Sequence, residues 1–161
     1  LCVIGDGKLG LLCAQALALT GAHVSLIGKH PEKLRIAAAR GIETMTLEKA
    51  DGLERAFDVA VEASGAEAGF ALALEVLRPR GVLVLKSTFH GATQVEMARI
   101  VVNEISIIGS RCGRFAPALD LLERDAVDVE SLISEEYSLA DGVKAMARAN
   151  VRGALKVLLK R

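Results

Sequence analysis

Gly5-Asp6-Gly7-Lys8-Leu9-Gly10 is the segment of this sequence whose residue types and spacing most clearly suit chemistry. It is a G-x-G-x-x-G run placed after the apolar residues Leu1 to Ile4 and before a stretch of helical spacing. Gly5 permits a tight turn, Gly7 lets the backbone approach a pyrophosphate, and Gly10 allows close packing of helix on strand. The free backbone N–H groups and the positive dipole end of the following helix would hold the phosphates. A glycine-rich turn of this kind also binds other nucleotides, or nothing. The strand–turn–helix context favours a dinucleotide.

The second segment of interest is Gly28-Lys29-His30. An Asp or Glu at the end of a second strand would accept hydrogen bonds from the adenosine ribose 2′-hydroxyl and mark NAD. Gly28 takes that place here. Absence of the carboxylate removes repulsion toward a 2′-phosphate, and the neighbouring Lys29 and His30 supply attraction, with Lys33 one helical turn further on. The expectation is therefore NADP(H), with NAD(H) second. On the plainer reading Gly28 is a turn glycine and Lys29 a solvated charge.

Other reactive side chains form no pattern. Cys2, Cys13 and Cys112 show no CxxC pairing, and together with His23, His30 and His90 they offer no ligand pair at a metal spacing. The odd, widely spaced cysteines fit reduced thiols in a cytoplasmic protein. No metal site and no catalytic residue is expected within the chain.

The elements that must position these residues alternate in type. Strands are expected at Leu1 to Ile4, His23 to Ile27, Asp58 to Ala63, Val82 to Lys86, Ile105 to Ile108 and Leu155 to Leu159. Helical patterns run from Leu9 to Leu19 (closed by Gly21), Pro31 to Arg40, Ala66 to Leu77, Ala116 to Arg124 and about Leu139 to Ala149. The stretch 42–57 is weaker, and the apolar run of Val82 to Leu85 implies burial on both faces. Strands separated by helices in this rhythm predict an α/β fold, a doubly wound Rossmann-type parallel sheet of six strands with helices on both faces.

Composition agrees and excludes alternatives. The 161 residues make about one domain. Twenty Lys+Arg balance 20 Asp+Glu, which argues against a nucleic-acid partner, and 3% aromatic residues make a base-stacking platform improbable on physical grounds. No apolar run is long enough for a membrane span, and Leu1 to Ile4 has no signal-peptide pattern. The abrupt start in a strand suggests that further sequence lies upstream.

The run VIGDGKLGLLCAQALALTGAHVSLIGKHPEKL resembles the nucleotide-binding domain of the medium-chain dehydrogenases/reductases, the zinc-type alcohol dehydrogenase superfamily. FDVAVEASG, LRPRGVLVLKS, NEISIIGSRCG and GALKVLLK continue the resemblance through essentially the whole chain. It implies that Gly5, Gly7, Lys8, Leu9 and Gly10 form the pyrophosphate loop. Gly28, Lys29, His30 and Lys33 would surround the adenosine ribose and its 2′-phosphate. Ala63, Ser64 and Gly65 would line the cofactor, and Leu85, Lys86 and Ser87 would lie near the nicotinamide ribose. The resemblance also implies that Arg111 and Cys112 hold the carboxamide through backbone atoms and that Lys156 reaches the pyrophosphate. Lys86, Arg111 and Lys156 could equally be solvated strand-end cations.

Full-length relatives of this kind carry a GroES-like domain with the catalytic zinc ligands and most of the substrate pocket. The resemblance therefore implies the cofactor domain of an NADP(H)-preferring alcohol or polyol dehydrogenase, inactive without its zinc-bearing domain. A stand-alone dinucleotide-binding sensing module is the alternative. A methyltransferase-like domain fits less well, because it would want an acidic residue in place of Gly28. The family also pairs the strand around Ile105 to Ile108 with a two-fold mate, and this segment has none of the lysines, prolines or bulges that protect an open edge. A homodimer is expected.

Overall fold

Alternating small and branched apolar side chains decide the centre of the fold. In a computed structural model, which describes residues 1–88 and 93–161, β1 (Cys2–Ile4) is buried along its whole length. It runs parallel to β2 (Ser25–Gly28) on one side and β4 (Phe57–Glu62) on the other, with Val3 opposite both Leu26 and Val61. β3 (Glu43–Thr46) lies outside β2, β5 (Leu77–Leu85) outside β4, and β6 (Ser106–Gly109) outside β5. The six strands are all parallel in the order β3-β2-β1-β4-β5-β6. The chain therefore winds outward in one direction and then in the other. A crevice opens at the carboxyl ends of β1 and β4, where the direction changes.

Successive residues of a strand face opposite sides of a sheet, and the core divides accordingly. On one face Cys2, Ile4, Ile27, Ala60 and Leu83 pack with Phe70, Ala73 and Leu74 of α4 (Glu67–Val76). On the other, Val3, Leu26 and Val61 meet Leu11 and Ala14 of α1 (Lys8–Ala18) and Leu34 and Ala37 of α2 (Pro31–Ala38). Each large side chain fully buried in these layers stabilises the fold by about 1.5–3 kcal/mol. The remaining helices are short: α3 (Leu47–Ala50), α5 (Met97–Val102), α6 (Phe115–Glu123) and α7 (Gly142–Ala149). No described helix is long and apolar enough to cross a membrane.

Strand membership differs from the sequence expectation although the number of sheet strands does not. Leu155 to Leu159 does not join the large sheet. That region forms β8 (Lys156–Lys160), which pairs in parallel with β7 (Ile133–Ser138) in a separate two-stranded sheet. Leu155 itself is buried on the α1–α2 side, so the segment docks on the core through one side chain while its backbone bonds elsewhere. The sixth strand is instead β3, drawn from the weak stretch 42–57. Its Glu-Thr-Met-Thr sequence suits an edge, where half the side chains meet water. Burial of Val82 to Leu85 on both faces is also not found: Leu83 is buried, whereas Val82, Val84 and Leu85 are half-buried. β5 stands next to the edge strand β6, which is itself exposed throughout.

Candidate functional site

The crevice is built first by the glycines of the β1–α1 turn. Gly5 has φ +116°, a conformation that L side chains rarely adopt, and donates its N–H to the Ile27 carbonyl at 2.8 Å. A Cβ on Gly10 would stand 1.8 Å from the Gly5 carbonyl oxygen, so only glycine lets α1 start this close to β1. Gly7 is different. Its φ of −76° and ψ of 176° are open to any residue, and a Cβ there would meet no protein atom within 4 Å. Neither backbone strain nor packing explains this glycine. Gly7 lines the crevice immediately ahead of α1, whose N-terminus has no side-chain cap. The N–H groups at the start of α1 therefore have no side-chain cap where they meet the open space over Gly7. Lys8 and Leu9 follow as exposed residues at the head of the helix.

The crevice has a volume of about 370 Å³ and is lined by Gly5, Asp6 and Gly7 from the first turn, Gly28, Lys29 and His30 from the end of β2, and Ala63 and Ser64 from the end of β4. The fold thus brings these three segments together. Lys33 sits half-buried in the first turn of α2, its N–H bonded to the His30 carbonyl at 3.0 Å.

Asp6 is the residue the sequence reading passed over. Its carboxylate is buried, and Oδ2 accepts the N–H groups of both Lys29 and His30 at 2.6 Å. The imidazole Nδ1 of His30 lies 3.0 Å from each carboxylate oxygen. Burial pushes the Asp6 carboxyl up, but the hydrogen bonds and charge from His30, with the Lys29 N–H, outweigh it and hold the group below the ordinary aspartate value. Gly28 is the last residue of β2, paired with Thr46, and is not a turn glycine. A Cβ on it would fall 2.6 Å from both Cβ and Oδ2 of Asp6. The corner that seemed to lack a carboxylate therefore contains one, supplied from the neighbouring loop. The sequence signal was present: an acid inside the glycine motif coinciding with its absence at the end of the second strand.

The β4 end is held by a second buried carboxylate. Oε1 of Glu62, which has no exposed surface, accepts the Ser64 N–H at 2.7 Å and the Ser64 hydroxyl at 2.5 Å, while Oε2 has no partner among the described residues. Gly65, at φ +68°, donates its N–H to Ser87 Oγ at 2.8 Å. The turn that closes the crevice is thereby fixed from below by Glu62 and from the β5 side by Ser87.

Farther along, the expected residues separate. Leu85 ends β5 between Glu62 and Gly109, and the Lys86 ammonium donates to Ser110 Oγ at 3.3 Å and to the Arg111 carbonyl, tying the ends of β5 and β6. Arg111 and Cys112 are exposed. Lys156 opens β8 as an exposed residue and does not line the crevice, whereas Arg152, four positions earlier in the chain, does. All three cysteines are free, and burial pushes the Cys2 thiol up to about 12. Among the described residues no three His, Cys, Asp or Glu side chains cluster as metal ligands. His90 lies outside the described residues.

Comparison with known proteins agrees with this geometry. The family model described as zinc-binding dehydrogenase matches residues 9–124. Sorbitol dehydrogenase of Halalkalibacterium halodurans is 30% identical over 174 residues, covering 98% of this chain and 50% of its own. The chain thus spans about half the length of the curated relatives it matches. The crystal structure of L-idonate 5-dehydrogenase from Escherichia coli aligns with a TM-score of 0.88 at 25% identity, covering 99% of this chain and 49% of that one. A zinc-binding dehydrogenase of Sinorhizobium meliloti bound to NADP aligns with a TM-score of 0.87 at 23% identity, covering 99% and 52%.

Proposed function

From the premise that this chain belongs to the zinc-binding dehydrogenase family, we propose that it is the dinucleotide-binding part of an oxidoreductase acting on the CH–OH group of an alcohol or polyol. The observation that carries the reading is Gly7, a glycine that neither its backbone angles nor its surroundings require, at the mouth of a crevice made by three strand ends. The bound nicotinamide would supply the hydride acceptor or donor. This chain would hold the pyrophosphate on the N–H groups of residues 7 to 10, seat the adenosine end against residues 28 to 30 and Lys33, and close on the cofactor with Ala63, Ser64 and Gly65. Leu85, Lys86 and Ser87 lie on the side where the nicotinamide ribose would extend, with the backbone of Arg111 and Cys112 toward its carboxamide. Lys156 remains a candidate for the pyrophosphate beside Arg152.

We take the cofactor to be NADP(H) ahead of NAD(H), on the support of Lys29, His30 and Lys33 at the adenosine corner. A GroES-like domain would supply the zinc and the substrate pocket, a reading supported by relatives twice as long as this chain. The free thiols suit a reducing compartment, and the cytoplasm is the proposed location. A homodimer through β6 is proposed as well. The strand is paired on one side only, and Ile107 and Ile108 are 39% and 51% exposed.

Calorimetric titration of NADP⁺ and NAD⁺ into the chain tests the reading. Saturable binding of one molecule per chain is expected, tighter for NADP⁺. Absence of binding by either would overturn it.

A further inference from the structure

We infer that Asp6, not a residue at the end of β2, is the carboxylate that reads the 2′ position of the adenosine ribose, and that it limits how strongly a 2′-phosphate is preferred. The inference rests on the dinucleotide-binding reading above and adds to it a specificity-determining residue.

In a βαβ dinucleotide fold the residue ending the second strand faces the ribose 2′ position. Gly28 leaves that volume open, and Asp6 fills it. A side chain on residue 28 would begin 2.6 Å from Asp6 Oδ2, so the carboxylate stands where an acid at position 28 would enter the same space. The negative charge has been kept while its point of attachment has moved from the strand to the loop. The two positions are therefore sterically exclusive, and the glycine at one follows from the acid at the other.

The hydrogen bonds give the carboxylate a second effect. The backbone donors of this corner, the N–H groups of Lys29 and His30, are both committed to Oδ2. A 2′-phosphate would meet a negative charge and find those two donors engaged. Side chains of the rim, the exposed Lys29 and the half-buried Lys33 and His30, are left to attract it. A 2′-hydroxyl meets the opposite situation. A carboxylate offers about four lone-pair sites, and the three donors around Asp6 leave Oδ1 able to accept one more bond. Asp6 lines the crevice, and that acceptor is the one assigned to the ribose. The cations at the rim favour the phosphate and the buried carboxylate opposes it.

The test measures dissociation constants of NADP⁺ and NAD⁺ for the wild-type chain and for Asp6→Asn, which keeps the shape and removes the charge. The NADP⁺-to-NAD⁺ affinity ratio is expected to rise about tenfold or more in the variant, the size of effect that one charge removed at close range produces in a partly screened site. Asp6→Ser, which keeps a short acceptor for the Lys29 and His30 N–H groups, should move the ratio the same way, and serves alone should Asp6→Asn not fold. The double variant Asp6→Gly/Gly28→Asp returns the carboxylate to the strand and should bring the ratio back to the wild-type value or below. A ratio unchanged by the single variants, with both cofactors still bound, overturns the role of Asp6 and leaves the dinucleotide reading standing. Wild-type chain that binds neither cofactor overturns both.

Discussion

The crevice at the ends of β1, β2 and β4 and the flank elements α5, β6 and α6 are finished to different degrees. In the crevice close contacts fix most of the frame: Gly10 packs against Gly5, Gly28 against Asp6, and Glu62 holds Ser64 from beneath, while Gly7 alone of the motif glycines faces open space. On the flank no residue of the three elements is buried, and Val102 and Phe115 are 79% and 81% exposed. The difference separates what the chain completes by its own packing from apolar surface that it leaves uncovered. Precision is concentrated where a ligand would be held, and uncovered apolar surface where another polypeptide would lie.

The strongest way to break this contrast is to add methyl groups to the two kinds of glycine. Gly10→Ala should force α1 away from β1 and lower stability by about 1–3 kcal/mol or more, read as the shift of a denaturant midpoint. Gly7→Ala should leave stability within about 0.5 kcal/mol yet weaken cofactor binding, because its methyl group enters ligand space alone. Equal destabilisation by both would show that Gly7 has a structural role after all.

Gly28→Asp comes next. Its side chain collides with Asp6 and brings a second carboxylate beside the first, so a loss of about 1–3 kcal/mol is expected, with the chain regaining stability when Asp6→Gly is added. A single variant as stable as wild type would mean that the two residues are not interlocked. The flank is probed by Ile107→Lys, which should convert a dimer to a monomer in sedimentation while the denaturant midpoint of the chain stays near that of the dissociated wild type. A wild-type chain that is already monomeric at micromolar concentration contradicts pairing through β6.

The smallest effect is the acid limb of stability. Because the Asp6 carboxyl lies below its ordinary value in the folded chain, its contribution is fully present above the unfolded aspartate value, near pH 4, and is lost as pH falls through the lowered native value. Denaturant midpoints followed from neutral pH downward should therefore decline less for Asp6→Asn than for wild type over that window. Parallel curves would show that Asp6 is not held by His30 and Lys29 in solution.

Much of this was legible in the sequence, for identifiable reasons. The G-x-G-x-x-G turn and the β1, β2, β4 and β5 strands announced themselves because each strand contains a short, mostly apolar run and the glycine spacing marks the first turn. β3 was not legible, since Glu43 and the threonines 44 and 46 follow the polarity of an edge rather than a core. β8 looked like one more sheet strand because Leu155 is a core residue, yet its partner β7, Ile-Ser-Glu-Glu-Tyr-Ser, is half polar and gave no signal. In the site, Gly28 was read by itself as a missing charge. The acid inside the glycine motif was visible, but that it fills the gap left by Gly28 is a contact between residues far apart in the chain, which only the fold brings together.

The central claim is that the β1–α1 turn and the strand ends beside it form one dinucleotide site. Backbone amide NMR of the labelled chain titrated with NADP⁺ tests it most directly. The account expects the largest shifts at Gly5, Gly7, Lys8, Leu9, Lys29, His30 and Ser64, with β3 and α6 unmoved. Shifts concentrated instead around Phe70, Ile105 and Ile107, or no shifts at saturating cofactor, would contradict it.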